Sequence, residues 1–354
     1  MTALGADWEK PFLPQTRDVP REAHAKKRIG GVPTLLSFVA SSDWIANFVV
    51  DVISPHCYSV DGHFLRIAAF VTASENSCRH CYGNGRAALR MMGYQYDWIE
   101  KVERDVQNAQ LEPREIAVLD FTRQLARSSP RPAVAERRRL AELGYSAAET
   151  AELAYIVASN CSNNRIATFL AVPPDEKLEA LPASFMGRLM RPLIGRAFAR
   201  VAPHPGVSTP RAGLFSRTVE ALGNVPCALT LRRTIDGAFA APGLSRRARA
   251  LIFAVVARTI GCRVCEDDAR VLLAEGGLDA SEADAILTNL ASPRLDAAEA
   301  ALVPWARDTV RYQAAPMQRR TRALMELLGP QAALEAVGTA SLANAVLRIA
   351  MLLE

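Results

Sequence analysis

Cys78-Arg79-His80-Cys81 and Cys262-Arg263-Val264-Cys265 are the two stretches from which the rest of this 354-residue chain is read. They stand 184 residues apart, and their surroundings align at that same offset without a gap. Gly93 falls on Gly277, Leu111-Glu112-Pro113-Arg114-Glu115 on Leu295-Asp296-Ala297-Ala298-Glu299, and Phe121 on Trp305. Near the ends, Arg165-Ile166-Ala167 answers Arg348-Ile349-Ala350 at an offset of 183, and Gly31-Val32-Pro33 resembles Asn224-Val225-Pro226 at 193. Internal similarity at a fixed spacing is the signature of a repeated structural unit. The alignment predicts repeats at 30–170 and 221–354, an N-terminal extension at 1–29 and a linker at 171–220. The first repeat carries about nine extra residues around Ser54 to Tyr58.

Within each repeat the apolar period is helical. Leu65, Ala68, Ala69 and Thr72 recur at three and four, as do Leu251, Ala254, Val255 and Arg258. Asp61 to Ala73 and Ser245 to Arg258 read as helices leading into the two motifs, and Tyr82 to Met92 and Glu266 to Ala274 as helices leading out. Ser146 and Ser245 are suited to start helices, and Gly93 to end one. Strand-like alternation is absent, so the expected fold is all-α, a tandem duplication of a helical bundle.

Composition agrees with a folded chain: 50% of the residues are hydrophobic and 22% charged, and the net charge of +5 is too small for a dominant nucleic-acid field. The longest uninterrupted apolar stretches, Leu251 to Ala257 and Ile166 to Val172, fall short of the roughly 18 residues of a membrane span. The N-terminus shows no basic head followed by an apolar run, so the expected setting is a reducing cytoplasm in which the seven cysteines are thiols. In the linker, Met186 to Val201 places Arg188, Arg191, Arg196 and Arg200 among large apolar residues. It reads as an amphipathic helix packed on its own domain with a solvated basic face, interrupted by Pro192. A membrane-surface or partner helix is the alternative.

A C-x-x-C pair at a helix start holds two sulfurs within reach of each other, while free backbone N–H groups and the helix dipole favour a thiolate. Redox chemistry uses both effects. The first sulfur of each pair is expected to be accessible and the second more buried. Two other readings stand beside redox: inert buried thiols, and four thiolates gathering one zinc ion. Zinc modules space their pairs by about 15 to 20 residues, which argues against a site built across a 184-residue gap.

The order of helix, C-x-x-C, helix ending in glycine and late helix bearing Asn163-Asn164-Arg165-Ile166-Ala167 resembles the AhpD-like, or carboxymuconolactone decarboxylase, superfamily. Cys78-Arg79-His80-Cys81 is especially similar to the motif of its alkylhydroperoxidase branch. The resemblance implies an all-helical subunit that forms homo-oligomers. It also implies a cysteine pair that cycles between dithiol and disulfide, reducing hydroperoxides or a partner protein and re-reduced by a dihydrolipoyl protein. No metal, flavin or other cofactor is implied, nor nucleic acid nor a membrane span. That branch carries a Glu twelve residues before the first Cys and a His four after the second. Here those positions hold Arg66 and Ala250, and Gly85 and Ala269. Arg66, with His63 on the same helix face and His80 inside the motif, is the candidate substitute that activates a thiol as a nearby cation.

The candidate catalytic set is therefore Cys78, Cys81, Cys262, Cys265, His80, Arg66 and His63. Glu266, Asp267 and Asp268 follow the second motif and disfavour a neighbouring thiolate, so the first pair is expected to be the more acidic and to carry catalysis. Tyr82, Tyr94, Tyr96 and Trp98 cluster after it as core, interface or pocket residues. Cys57, Cys161 and Cys227 lack counterparts and read as incidental thiols. Two competing functions remain. One is a non-redox lyase or tailoring enzyme of the decarboxylase type, with Arg66 on a substrate carboxylate. The other is a degenerate, non-enzymatic scaffold.

Overall fold

A computed structural model describes residues 8–29, 31–53, 59–104, 111–130, 132–199 and 212–353. The expected insertion at 54–58, with Cys57, and the end of the linker helix at 200 and 201 lie outside them. The structure is all-α, 75% helical without strands among the described residues.

Three helices come first, α1 (Val19–Ile29), α2 (Thr34–Val39) and α3 (Asp43–Ile53). Six follow: α4 (Gly62–Glu75), α5 (Arg79–Met91), α6 (Tyr96–Arg104), α7 (Pro113–Ala126), α8 (Val134–Glu142) and α9 (Ala147–Phe169). The connecting segment holds α10 (Glu176–Ala180), a 3₁₀ turn at Leu181–Ala183, α11 (Phe185–Ala199) and α12 (Ser216–Glu220). Then come α13 (Pro226–Ala240), α14 (Arg246–Ile260), α15 (Arg263–Glu275), α16 (Ala280–Asn289), α17 (Ala297–Asp308), α18 (Ala314–Leu328) and α19 (Pro330–Ala350). In the first half α4 packs on α5, α7 and α9; in the second, α14 packs on α15, α17 and α19. The long helices α9 and α19 lie against each other and make the most extensive contact in the molecule.

Local signals set these elements. Asp61 accepts the His63 N–H at 2.8 Å to start α4, and Ser245 accepts the Ala248 N–H at 3.0 Å to start α14. Glu115 and Glu299, 184 residues apart, each accept the N–H three residues earlier at the start of α7 and α17. The residue just before each C-x-x-C is left-handed, Ser77 at φ 51° and Gly261 at φ 88°, so the same chain reversal costs more in the first half, where a side chain is present.

The core is tied together by buried arginines. Arg165 on α9 donates from Nε to the Thr309 carbonyl at 3.1 Å and from Nη1 to Asn76 at 2.6 Å and Cys161 O at 3.1 Å. Arg348 on α19 donates from Nε to the Leu125 carbonyl at 3.0 Å and from Nη1 to Asn344. Each guanidinium thus caps the chain leaving α17 or α7 in the opposite half. Burial lowers Arg348 to about 10. The residues from Pro330 to Leu353 are long and apolar enough to cross a membrane, with mean hydropathy 1.6, contrary to the expectation that no stretch reaches that length. Glu335 and Arg348 are the only charged residues of α19, but scattered polar residues such as Gln331 and Asn344 break its apolar runs, so a search for unbroken runs overlooks it. That window is 89% buried inside the fold.

The linker is more than a spacer. Both α10 and α11 pack against α5, and α12 packs against α13 and α19. Phe185, Leu189 and Leu193 of α11 do not pack on the domain as expected, being 79%, 62% and 65% exposed.

Candidate functional site

Cys78 is the residue that starts α5. Its extended backbone (φ −86°, ψ 99°) lets Sγ turn back over the first turn and accept the Cys81 N–H at 3.3 Å. This is the bond an Asp or Ser makes at a helix start, here made by sulfur, and an anion makes it best. Burial opposes charge on Cys78. Hydrogen bonds from the Cys81 thiol and N–H, the Thr168 hydroxyl and the His80 N–H outweigh it and hold the Cys78 thiol below its ordinary value. The Thr168 hydroxyl, buried on α9, makes no hydrogen bond of ordinary length, so its help to Cys78 is that of a longer contact. Cys81 is pushed well above its ordinary value by its bond to Cys78, by burial and by the charge there. Of the two sulfurs, Cys78 is therefore the one on which charge is favoured and Cys81 the one that keeps its proton more firmly.

Exposure runs opposite to expectation. Cys78 is fully buried, and Cys81 is the partly exposed sulfur. The reason is the capping geometry: a residue whose side chain folds over the helix start faces the core, while one three positions later lies on the helix flank. Cys81 packs beside the apolar group of Phe70, Tyr82 and Leu89. Tyr82 donates to Glu103 on α6, and Arg86 donates to the Tyr82 oxygen at 3.1 Å. Burial raises Tyr82 to about 12.

His80 is brought to the pair but not as a cation. Its Nδ1 lies 2.7 Å from the Pro173 carbonyl, which only accepts, so Nδ1 carries the proton and Nε2 accepts from Asn84 at 3.1 Å. Burial lowers its pKa further, so the ring is neutral and serves to fasten the linker to α5. Beside it Arg79 meets Glu179 through two bonds, at 2.7 and 3.2 Å. Arg66 and His63 are not brought to the sulfurs. Arg66 stands nine residues before the end of α4, roughly 14 Å along the axis, and the charges and bonds that shift the two thiols come from other groups. The His63 ring contacts Tyr94, Nδ1 to hydroxyl 3.3 Å, and Tyr94 stacks on Trp98.

The second pair has nearly the same backbone, Cys262 at φ −84° and ψ 100°, but different cover. Both sulfurs are buried, Cys262 at 1% and Cys265 at 0% exposure. Thr218 on α12 lies 3.9 Å from Cys265 Sγ, and Arg217 clamps α12 to α15 through Asp268 at 2.7 Å. Cys265 is raised well above its ordinary value by its bond to Cys262, by burial, by the charge on Cys262 and by Asp268. Glu266 was expected to oppose a thiolate too, but its charge is spent on Arg258 and Arg270, at 2.7 and 2.9 Å. Among the described residues no group of three or more His, Cys, Asp or Glu converges, so the cysteine pairs do not form one four-thiolate cluster.

Behind the first pair a cleft of about 350 Å³ opens between the halves, lined by Asn76, Ser77, Arg165, Arg311, Tyr312 and Gln313 among others. The Tyr312 hydroxyl donates to the Asn76 carbonyl at 3.0 Å, and burial raises it. Thr168 and Tyr312 belong to the site and were missed in the sequence. Neither carries a motif, and Tyr312 comes from the opposite half. The only hint was that Thr168 follows Arg165-Ile166-Ala167. Comparison with protein-family models, with curated proteins and with solved structures found no match to this chain.

Proposed function

We propose that the chain is a thiol–disulfide oxidoreductase of peroxidase type, working through Cys78 and Cys81 in a reducing compartment, and that its halves descend from one AhpD-like unit. The observation that carries this reading is the Cys78 sulfur capping α5 through the Cys81 N–H, with Cys81 the less buried residue of the pair on the same turn. The packing of α4 on α5, α7 and α9, repeated by that of α14 on α15, α17 and α19, supports the duplication.

In this reading Cys81 meets the substrate and Cys78 resolves. Cys78 takes the Cys81 proton as the Cys81 sulfur attacks the terminal oxygen of a hydroperoxide, the O–O bond breaks, and that proton passes from Cys78 to the departing alkoxide, which leaves as alcohol. Cys81 is then a sulfenic acid. The Cys78 thiolate attacks that sulfur and displaces hydroxide, which takes a proton from solvent and leaves as water. Two electrons pass from the dithiol to the peroxide, and an external dithiol, of the dihydrolipoyl kind, restores the pair by exchange. A partner disulfide follows the same route with a thiol as leaving group. The test is to treat the reduced chain with one equivalent of hydroperoxide, map disulfides by mass spectrometry, and follow turnover with dihydrolipoamide. A Cys78–Cys81 disulfide that forms and is re-reduced during turnover supports the proposal. Persistent free thiols at both positions overturn it.

A further inference from the structure

The helix α11 has one face on the protein and one without cover. Gly187 is its point of closest approach: a Cβ there would stand 1.9 Å from the Leu181 carbonyl oxygen, so this face is pressed against the preceding turn. Arg188 and Arg191 reach back to the Ala183 and Pro182 carbonyls, at 3.1 and 3.3 Å. On the opposite side Phe185, Met186, Leu189, Met190 and Leu193 recur at three and four residues and form one stripe, all of them at least 40% exposed. Elsewhere among the described residues the exposed large apolar side chains are scattered singly. Scattered ones are ordinary; a stripe on one helix marks a contact surface.

Charge chooses the occupant. The fifteen residues of α11 include Arg188, Arg191 and Arg196 and no acidic residue, and the sequence has no Asp or Glu between Glu179 and Glu220. A second copy of this chain would bring the same cations face to face. An anionic lipid surface offers both partners at once, acyl chains for the stripe and phosphate or carboxylate headgroups for the guanidiniums. We propose that α11 lies in the plane of an anionic bilayer surface as an interfacial anchor, held to the protein by its contacts with α4, α5 and the 3₁₀ turn. This inference does not depend on the redox reading.

The test uses the full reduced chain and floated vesicles of phosphatidylcholine alone or with 30% phosphatidylglycerol, at low and at physiological salt. Binding to the anionic vesicles at least tenfold tighter than to neutral ones, weakened by salt, is expected. Leu189→Gln with Leu193→Gln reduces binding at least tenfold. Arg188→Gln with Arg191→Gln reduces it by about fivefold per arginine, and the corresponding lysine pair restores it. These positions lie outside the core, so unchanged circular dichroism confirms each variant's fold. Equal binding to both vesicle types, or no binding at low salt, overturns the proposal. So does an oligomer that the leucine pair dissociates while vesicle binding is unchanged, since a second copy then covers the stripe.

Discussion

Cys78 and Cys262 begin their helices with the same backbone to within a few degrees, yet their surroundings differ. The first pair has a partly exposed second sulfur and a hydroxyl, Thr168, that favours the thiolate. The second is closed by α12, and Asp268 adds to the burden on Cys265. The comparison teaches that the helix start brings two sulfurs together, whereas what packs over that start decides whether they react. In the first half the linker meets His80 through Pro173 and Arg79 through Glu179 of α10; in the second, α12 lies over the sulfur itself.

The sharpest way to break this comparison is to remove the sulfurs. Cys78→Ser or Cys81→Ser should lower dithiol-dependent hydroperoxide turnover by about a thousandfold, since one thiol cannot close the disulfide. Cys262→Ser with Cys265→Ser should change it by less than about twofold, because nothing reaches the second pair. Steady-state rates with dihydrolipoamide decide it, and equal losses from both halves would end the assignment of chemistry to the first.

Next comes stability, where the halves should behave alike. Arg165→Met and Arg348→Met each leave buried carbonyls without a donor, at a cost of about 3 kcal/mol. Urea unfolding measures this. Equal losses sharpen the picture of reciprocal clamps, and a loss confined to one arginine would show that only one half leans on the other.

A smaller effect lies in the cover. Under limiting alkylating reagent Cys81 should label at least about tenfold faster than Cys265, following exposure rather than sequence order. Thr218→Gly should narrow the gap severalfold by opening the cover over Cys265, with mass spectrometry giving site-resolved rates. An unchanged Cys265 rate would mean that α12 is not what protects it.

The all-α class was legible because the apolar period and the helix caps Ser146 and Ser245 are local, and the same residues make those bonds in the structure. The cysteine motifs likewise announced two helix starts. What stayed hidden depends on packing between distant segments. The exposure of Cys78 and Cys81 is set by which way a cap side chain folds. The neutrality of His80 is set by a carbonyl 93 residues away. Tyr312 reaches the site from the opposite half, and Arg66, chosen as the cation at the family's Glu position, stands nine residues before the end of α4 and is not among the groups that shift the two thiols. The stripe on α11 was visible as a pattern, but only the position of Gly187 tells which face is covered.

The last and smallest effect separates the halves by pH. His80 titrates near 6.5 when unfolded, and burial lowers it in the folded chain. The unfolded state therefore takes up the proton first, and the contribution of neutral His80 is full above pH 6.5 and lost as pH falls toward the folded value. Protonation would turn Nε2 into a donor facing the Asn84 amide, which also donates, while the bond from Nδ1 to Pro173 survives. Asp175 and Glu179 face the ring and favour the cation, Arg79 opposes it, and burial outweighs them. Asp175 is itself held below its ordinary value, burial being outweighed by the Thr34 hydroxyl and the Leu178 N–H, so it stays charged through this range. Between pH 7.5 and 5 the chain should lose stability that His80→Gln does not lose, and amide exchange should rise in α10. The corresponding residue of the second half is Val264, which has no proton to gain, so exchange in α12 should stay flat across the same interval. If α12 loosens in step with α10, the linker contacts do not titrate through His80 and the two covers are less different than their residues suggest.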